Sequence, residues 1–300
     1  MKIKYNLICL ALISLIYTSC KKEKLSDKSV FVDSNLPKNA LDNYVYNNYT
    51  VPYNIDIIYK YVDRESDITY NLVPATYDAS VRMTKLLLQF GLKPYDEVTG
   101  SKTFIKRYFP KLLSYIGSSS VKSNGTIVLG TAEGGKKINL YNLNNLPTNS
   151  TSISYLNQYY FHVIHHEFQH ILNQTKPFPT SFLTISGLAY VGDTWNTAFT
   201  SNAAAITAGF ISPYASKEGT EDFAELYSFY VTTSATDYTA YLNSAGTSAA
   251  ALAGIATITT KMEIVKTYMK NEFGIDMDVL RANIQAKVAG LPTFDQTTLP

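Results

Sequence analysis

Apolar and polar positions change period several times along the chain, and each change predicts an element. Residues 40–49 read as a short helix and 53–61, where Tyr and Ile alternate with polar residues, as a strand. Residues 77–90 are amphipathic at helical spacing, with Gly91 as the stop, and 95–98 continue the helical region. A further helix over 104–109 ends at Pro110. Residues 126–130 and 137–141 flank Gly134-Gly135 and predict a hairpin. From 153 to 173 there is neither Gly nor Pro, and Leu156, Tyr160, Val163, Ile164, Phe168, Ile171 and Leu172 form an apolar stripe. Asn149, Ser150 or Thr151 is placed to cap that helix. Gly219 and Thr220 open another helix that runs to about residue 231, and 261–273 and 278–288 predict closing helices. Residues 238–260 read as helix or loop. The stretch 181–209, rich in small and polar residues and holding the sole tryptophan, Trp195, predicts a long loop that forms a wall or lid. No internal repeat is present. The sum is an α+β chain, with a mixed lobe over 37–150 and a mostly helical lobe over 151–300.

The first nineteen residues follow a different rule. Lys2 and Lys4 precede an apolar core at 7–16 that is too short to span a membrane, the pattern of a signal peptide. Ser19-Cys20 after that core resembles a bacterial lipobox, which makes Cys20 the lipidated N-terminus. The only other cysteine, Cys9, lies inside the leader, so no internal disulfide is expected. Residues 21–36 form a polar tether. Without Lys2 and Lys4 the chain carries 24 basic and 24 acidic residues, a balance that gives no reason to expect nucleic-acid binding. The expected location is the outer membrane, on its periplasmic or cell-surface face.

All four histidines fall between His162 and His170, inside the predicted helix. His166-Glu167-Phe168-Gln169-His170 spells H-E-x-x-H. Positions i and i+4 share a helix face, so His166 and His170 can grip one Zn2+ from the same side. Glu167 then faces the metal's open position, where a carboxylate can take a proton from water. His162, one turn earlier, and His165, about 100° round the helix, are assigned supporting roles rather than ligation. The alternative is a polar helix face in water.

A catalytic zinc site takes three protein ligands and leaves one position open. No histidine follows His170, Asn173 and Lys176 stand where the longer H-E-x-x-H-x-x-G-x-x-H pattern needs Gly and His, and no cysteine is available. A carboxylate from the helix opening at Gly219 remains. Glu221 and Glu225 share a face at i, i+4, so one can coordinate while the other supports a ligand histidine. Spacing leaves their order open, and leaves open that both only complement the helix dipole.

Tyr214, seven residues before Glu221 in a Y-x6-E-x-x-A-E pattern, resembles the zinc-site segment of the lethal-factor-like gluzincins. That resemblance implies Glu221 as third ligand, Tyr214 as oxyanion stabiliser and Glu225 as the residue behind a ligand histidine. The segments starting Val51-Pro52-Tyr53, Gly130-Thr131-Ala132, His165-His166-Glu167 and Gly209-Phe210-Ile211 are similar, in that order, to a family of bacterial lipoproteins named for zinc-binding metallopeptidase activity. The likeness spans roughly residues 37–290. It implies a zincin-like fold, a peptide or protein substrate and genes for outer-membrane glycan uptake as neighbours. In such folds an edge strand of the hairpin pairs with substrate backbone, the alternative being a hairpin that only covers the core. Two rival functions stand beside peptide hydrolysis: a surface binding lipoprotein with a structural or vestigial zinc site, and a zinc hydrolase acting on a non-peptide amide.

Overall fold

Asn39 starts the first helix with a reciprocal cap. Its side chain accepts from Asp42 N at 2.9 Å, and the Asp42 carboxylate accepts from Asn39 N at 3.0 Å. The computed structural model describes residues 37–62, 70–121, 127–133 and 135–300. The leader, Cys20 and the tether lie outside the described residues. Residues 38–300 form one unit around one hydrophobic core. Among the described residues no helix is long and apolar enough to cross a membrane.

Helix α1 (Ala40–Val45) continues through a wide turn, Tyr46–Thr50, and a last turn, Val51–Tyr53. Asn54, in the left-handed region at φ 57°, ends it. The strand expected over 53–61 is therefore cut to β1 (Asp56–Ile58). Helix α2 (Tyr77–Leu86), capped by Thr76, runs on through Leu87–Leu92 into α3 (Lys93–Thr99). Gly91 does not stop it. A Cβ there would lie 2.6 Å from Leu87 Cδ1, so this glycine serves packing within the helix. The stop is Gly100, at φ 70°.

Strands β1, β2 (Leu112–Tyr115), β6 (Lys137–Leu140) and β5 (Gly130–Glu133) form one sheet in the order β1-β2-β6-β5. The first three are parallel, and β5 runs antiparallel to β6 at the edge. The hairpin is real, but its first strand is not 126–130. Ile127–Val128 (β4) pairs instead with Ser120–Val121 (β3) in a separate two-stranded sheet. Gly135, at φ 70°, lets the chain turn tightly, so the residues just before the turn face Lys137 to Leu140. Gly130 has a second use: a Cβ there would fall 2.3 Å from Val163 Cγ1. Only glycine lets this edge strand approach the histidine helix so closely.

That helix is capped by Ser152, one residue beyond the predicted caps. It passes through Ile153–Leu156 and a wide turn, Asn157–Phe161, into α4 (His162–Thr175). Val163, Ile164, Phe168, Ile171 and Leu172 face the core as the stripe predicts. Phe168 packs edge-on against Tyr95, Phe104 and Phe109, at 5.6, 5.9 and 5.0 Å between ring centroids. Helix α5 (Gly219–Thr232) lies along α4 and is buried over nearly its whole length. Helices α6 (Ala249–Phe273) and α7 (Met277–Val288) close the chain, so 249–260 are the start of one long helix.

The stretch read as a loop consists of short helical pieces, among them Thr180–Ser186, Trp195–Ala198 and Asn202–Thr207. It is tied to the residues preceding α5 by Val191 N to Ser216 O at 2.9 Å and Gly192 N to Lys217 O at 3.0 Å.

Candidate metal centre

Helices α4 and α5 bring three of the predicted residues to one point. The Nε2 atoms of His166 and His170 are 3.0 Å apart, and each lies 3.0 Å from Glu221 Oε2. Two imidazole nitrogens and a carboxylate oxygen at this spacing carry three lone pairs directed at one another, which a proton or a cation must separate. A point about 2.0 Å from all three sits about 1 Å outside their plane, which is zinc's distance to such donors and leaves one face open. The donor set therefore fits zinc.

Glu225 stands behind this triangle, one turn along α5. Its Oε1 lies 2.8 Å from His166 Nδ1 and 2.8 Å from His162 Nε2. Its Oε2 accepts from Ser212 Oγ at 2.6 Å. Tyr214 donates its hydroxyl to the other oxygen of Glu221 at 2.8 Å, and Lys217 Nζ stands 3.4 Å from the same oxygen. Trp195 packs edge-on against the Tyr214 ring at 5.1 Å, so the small-residue stretch does reach the site. Glu167, half-buried, is near enough for its charge to act on both His166 and Tyr214.

The electrostatics follow from burial inside a cluster of opposite charge. Burial alone would lower the His166 pKa, but its contacts with Glu221 and Glu225 raise it to about 10. Burial works against the Glu221 carboxylate too, and the hydrogen bonds from His166 and His170 hold it far below the usual range. Glu225 is lowered in the same way, against burial, by its contacts with His162 and His166. Burial and then the Glu221 charge push the Tyr214 phenol well up, so it stays a donor.

The remaining histidines divide. His165 faces away from the centre: Tyr95 OH is 2.8 Å from its Nδ1 and 2.6 Å from Tyr227 OH, and burial pushes its pKa down to about 3. It is a neutral core residue. His162 stays on the metal side but reaches Glu225, not the triangle.

Sequence reasoning missed three neighbours. Ser212 lies in a segment noted only for its family likeness, and no local pattern links it to Glu225. Lys217 sits one turn before Glu221 and was legible as an i, i+4 pair. Lys261 is fully buried, 2.6 Å from Asp222 Oδ2 and 2.9 Å from Gly209 O, and Tyr190 OH donates to the same Asp222 oxygen at 3.0 Å. That pairing spans 39 residues and leaves no local signal.

With this geometry in view, the comparisons with known proteins are specific. Residues 34–278 match the model of a family described as "Putative zinc-binding metallo-peptidase", and the chain belongs to that family. A crystal structure described in the same words, from Bacteroides caccae, is similar over 91% of this chain and 100% of its own. The two share 33% sequence identity, with a TM-score of 0.73. The fold is thus of the zincin-like metallopeptidase type. No curated protein matches the chain.

Proposed function

We propose that the protein is a zinc-dependent peptidase of the gluzincin type, with His166, His170 and Glu221 holding the metal. The observation that carries this reading is the 3.0 Å triangle of ligand atoms with Glu167 and Tyr214 beside it. Zinc, when bound, supplies a Lewis acid that polarises the scissile carbonyl and acidifies water.

The chain's own groups do the rest. Glu167 takes the proton of the attacking water and delivers it to the leaving amine. Tyr214 turns its hydroxyl from Glu221 Oε1 toward the oxyanion, a contribution of about 3 kcal/mol. Glu225, anchored by Ser212, sets its charge 2.8 Å behind His166 Nδ1 and favours the proton there, which leaves Nε2 for the metal. Strand β5, an edge of its sheet among the described residues and packed on α4, offers its backbone to an extended peptide.

The leader pattern and Cys20 support an outer-membrane lipoprotein. Cys20→Ala should move the protein from the membrane to the soluble fraction, and unchanged membrane association would remove this part of the reading. A binding protein with a vestigial site has no use for a general base, so Glu167 counts against that rival. The decisive experiment is incubation with a proteome-derived peptide library, with and without chelator. Cleavage that chelator abolishes supports the peptidase reading; intact peptides in both arms overturn it.

A further inference from the structure

We infer that His162 is a positioning residue of the zinc centre, acting on the metal through Glu225 and His166. The inference rests on the metal-site reading above and adds a residue that the H-E-x-x-H and Y-x6-E patterns do not contain.

The geometry is that of one carboxylate serving two successive turns of α4. Glu225 Oε1 lies 2.8 Å from His166 Nδ1 and 2.8 Å from His162 Nε2, while Ser212 Oγ occupies Oε2 at 2.6 Å. When His166 gives Nε2 to the metal, its Nδ1 keeps the proton beside Glu225 Oε1, a 2.8 Å charge contact rather than an aligned hydrogen bond. His162 needs only its neutral form with the proton on Nε2 to donate to the same oxygen. No change of charge is required. The Ser228 hydroxyl, 3.3 Å from His162 Nε2, donates to the Ala224 carbonyl at 2.8 Å and so is not the donor to His162, whose nearer acceptor is Glu225 Oε1 at 2.8 Å. The Phe229 ring stands edge-on to the His162 ring at 6.3 Å between centroids, which limits its rotation.

Glu225 is thus held from both ends: Ser212 fixes one oxygen from the segment before α5, and His162 fixes the other from α4. Without His162 the carboxylate can rotate about its Ser212 contact, and His166 Nδ1 loses the fixed charge beside it. The cost falls on zinc affinity. Losing a partner that orients a ligand typically weakens metal binding about 10- to 100-fold.

Two substitutions separate this role from plain packing. Gln carries its amide nitrogen where His carries Nε2, whereas Asn is one carbon shorter and falls short of Glu225. The side chain is 22% exposed, so both polar replacements are tolerated by the fold. Zinc dissociation constants, measured by competition with a chromogenic chelator, should rise about tenfold or more in His162→Asn and stay within about threefold of wild type in His162→Gln. Equal affinity in His162→Asn and wild type would overturn the inference. So would equal weakening in both variants, since the loss would then follow the imidazole ring rather than its donated hydrogen bond. Failure of the wild-type protein to bind zinc would instead remove the metal-site reading, which keeps the two failures distinct.

Discussion

Glu221 and Asp222 are consecutive acidic residues in the first turn of α5, both buried, yet they do different work. Asp222 faces α6 and meets Lys261, with Tyr190 and Gly209 O completing the cluster. Glu221 faces α4 and meets two imidazole nitrogens. Burial raises the Asp222 carboxyl to about 6 against the pull of Lys261, while Glu221 is held far below the usual range. The difference lies in the partner. An ammonium closes the charge balance within the chain, whereas histidines hold protons that they can give up. Asp222 therefore ties the surrounding segments together, and Glu221 belongs to a group of side chains able to hold a metal ion.

The largest expected effect tests whether the Glu221 side is catalytic at all. Glu167→Gln should retain zinc and lose turnover by about 10²- to 10⁴-fold. Metal content and peptide hydrolysis measured on the same sample decide it, and a variant as fast as wild type would reduce this side to a structural metal site.

On the Asp222 side, Lys261→Met leaves a buried carboxylate unpaired and should cost about 3–5 kcal/mol of stability. Chemical denaturation measures the loss, and the double variant Asp222→Leu/Lys261→Met should recover much of it. Zinc content of the folded fraction should not change; if it falls, the two carboxylates are not independent.

Tyr214→Phe should lower kcat about 10²-fold, or ~3 kcal/mol, with zinc retained. An unchanged kcat would leave Tyr214 as a partner of Glu221 only.

The smallest effect concerns pH. In the metal-free protein His166 is raised from its ordinary 6.5 to about 10, so its stabilising contribution is full below 6.5 and is lost as pH rises through about 10. Glu221 and Glu225 are lowered from 4.5, so theirs is full above 4.5 and is lost as pH falls. Zinc must displace the His166 proton. Binding near neutral pH should thus release about one proton per metal and tighten about tenfold per pH unit. Calorimetry in two buffers of different ionisation enthalpy measures the release, and none would mean that His166 is already neutral.

Much of this was legible locally. The stripe through Phe168 and Leu172 set the buried face of α4, and the i, i+4 spacing placed His166 and His170 together. Glycine was a less reliable guide than proline, since the helix over Thr103–Tyr108 does end just before Pro110. Gly91 looked like a stop and is absorbed in a wide helical turn, whereas Gly100 ends the helix. The hairpin register was misplaced because 127–128 found a separate partner in 120–121.

The sequence by itself determined the histidine pair, the glutamate beside it and the helices that carry them, because helical period is a property of the local backbone. Spacing could not decide between Glu221 and Glu225, since both lie on one face of α5. The Y-x6-E resemblance pointed to Glu221, and the packing of α5 along α4 sets Glu221 against the two Nε2 atoms, with Glu225 behind beside His162 and Ser212. The same packing set Asp222 against Lys261, because a helix–helix contact fixes which turn of one faces which turn of the other.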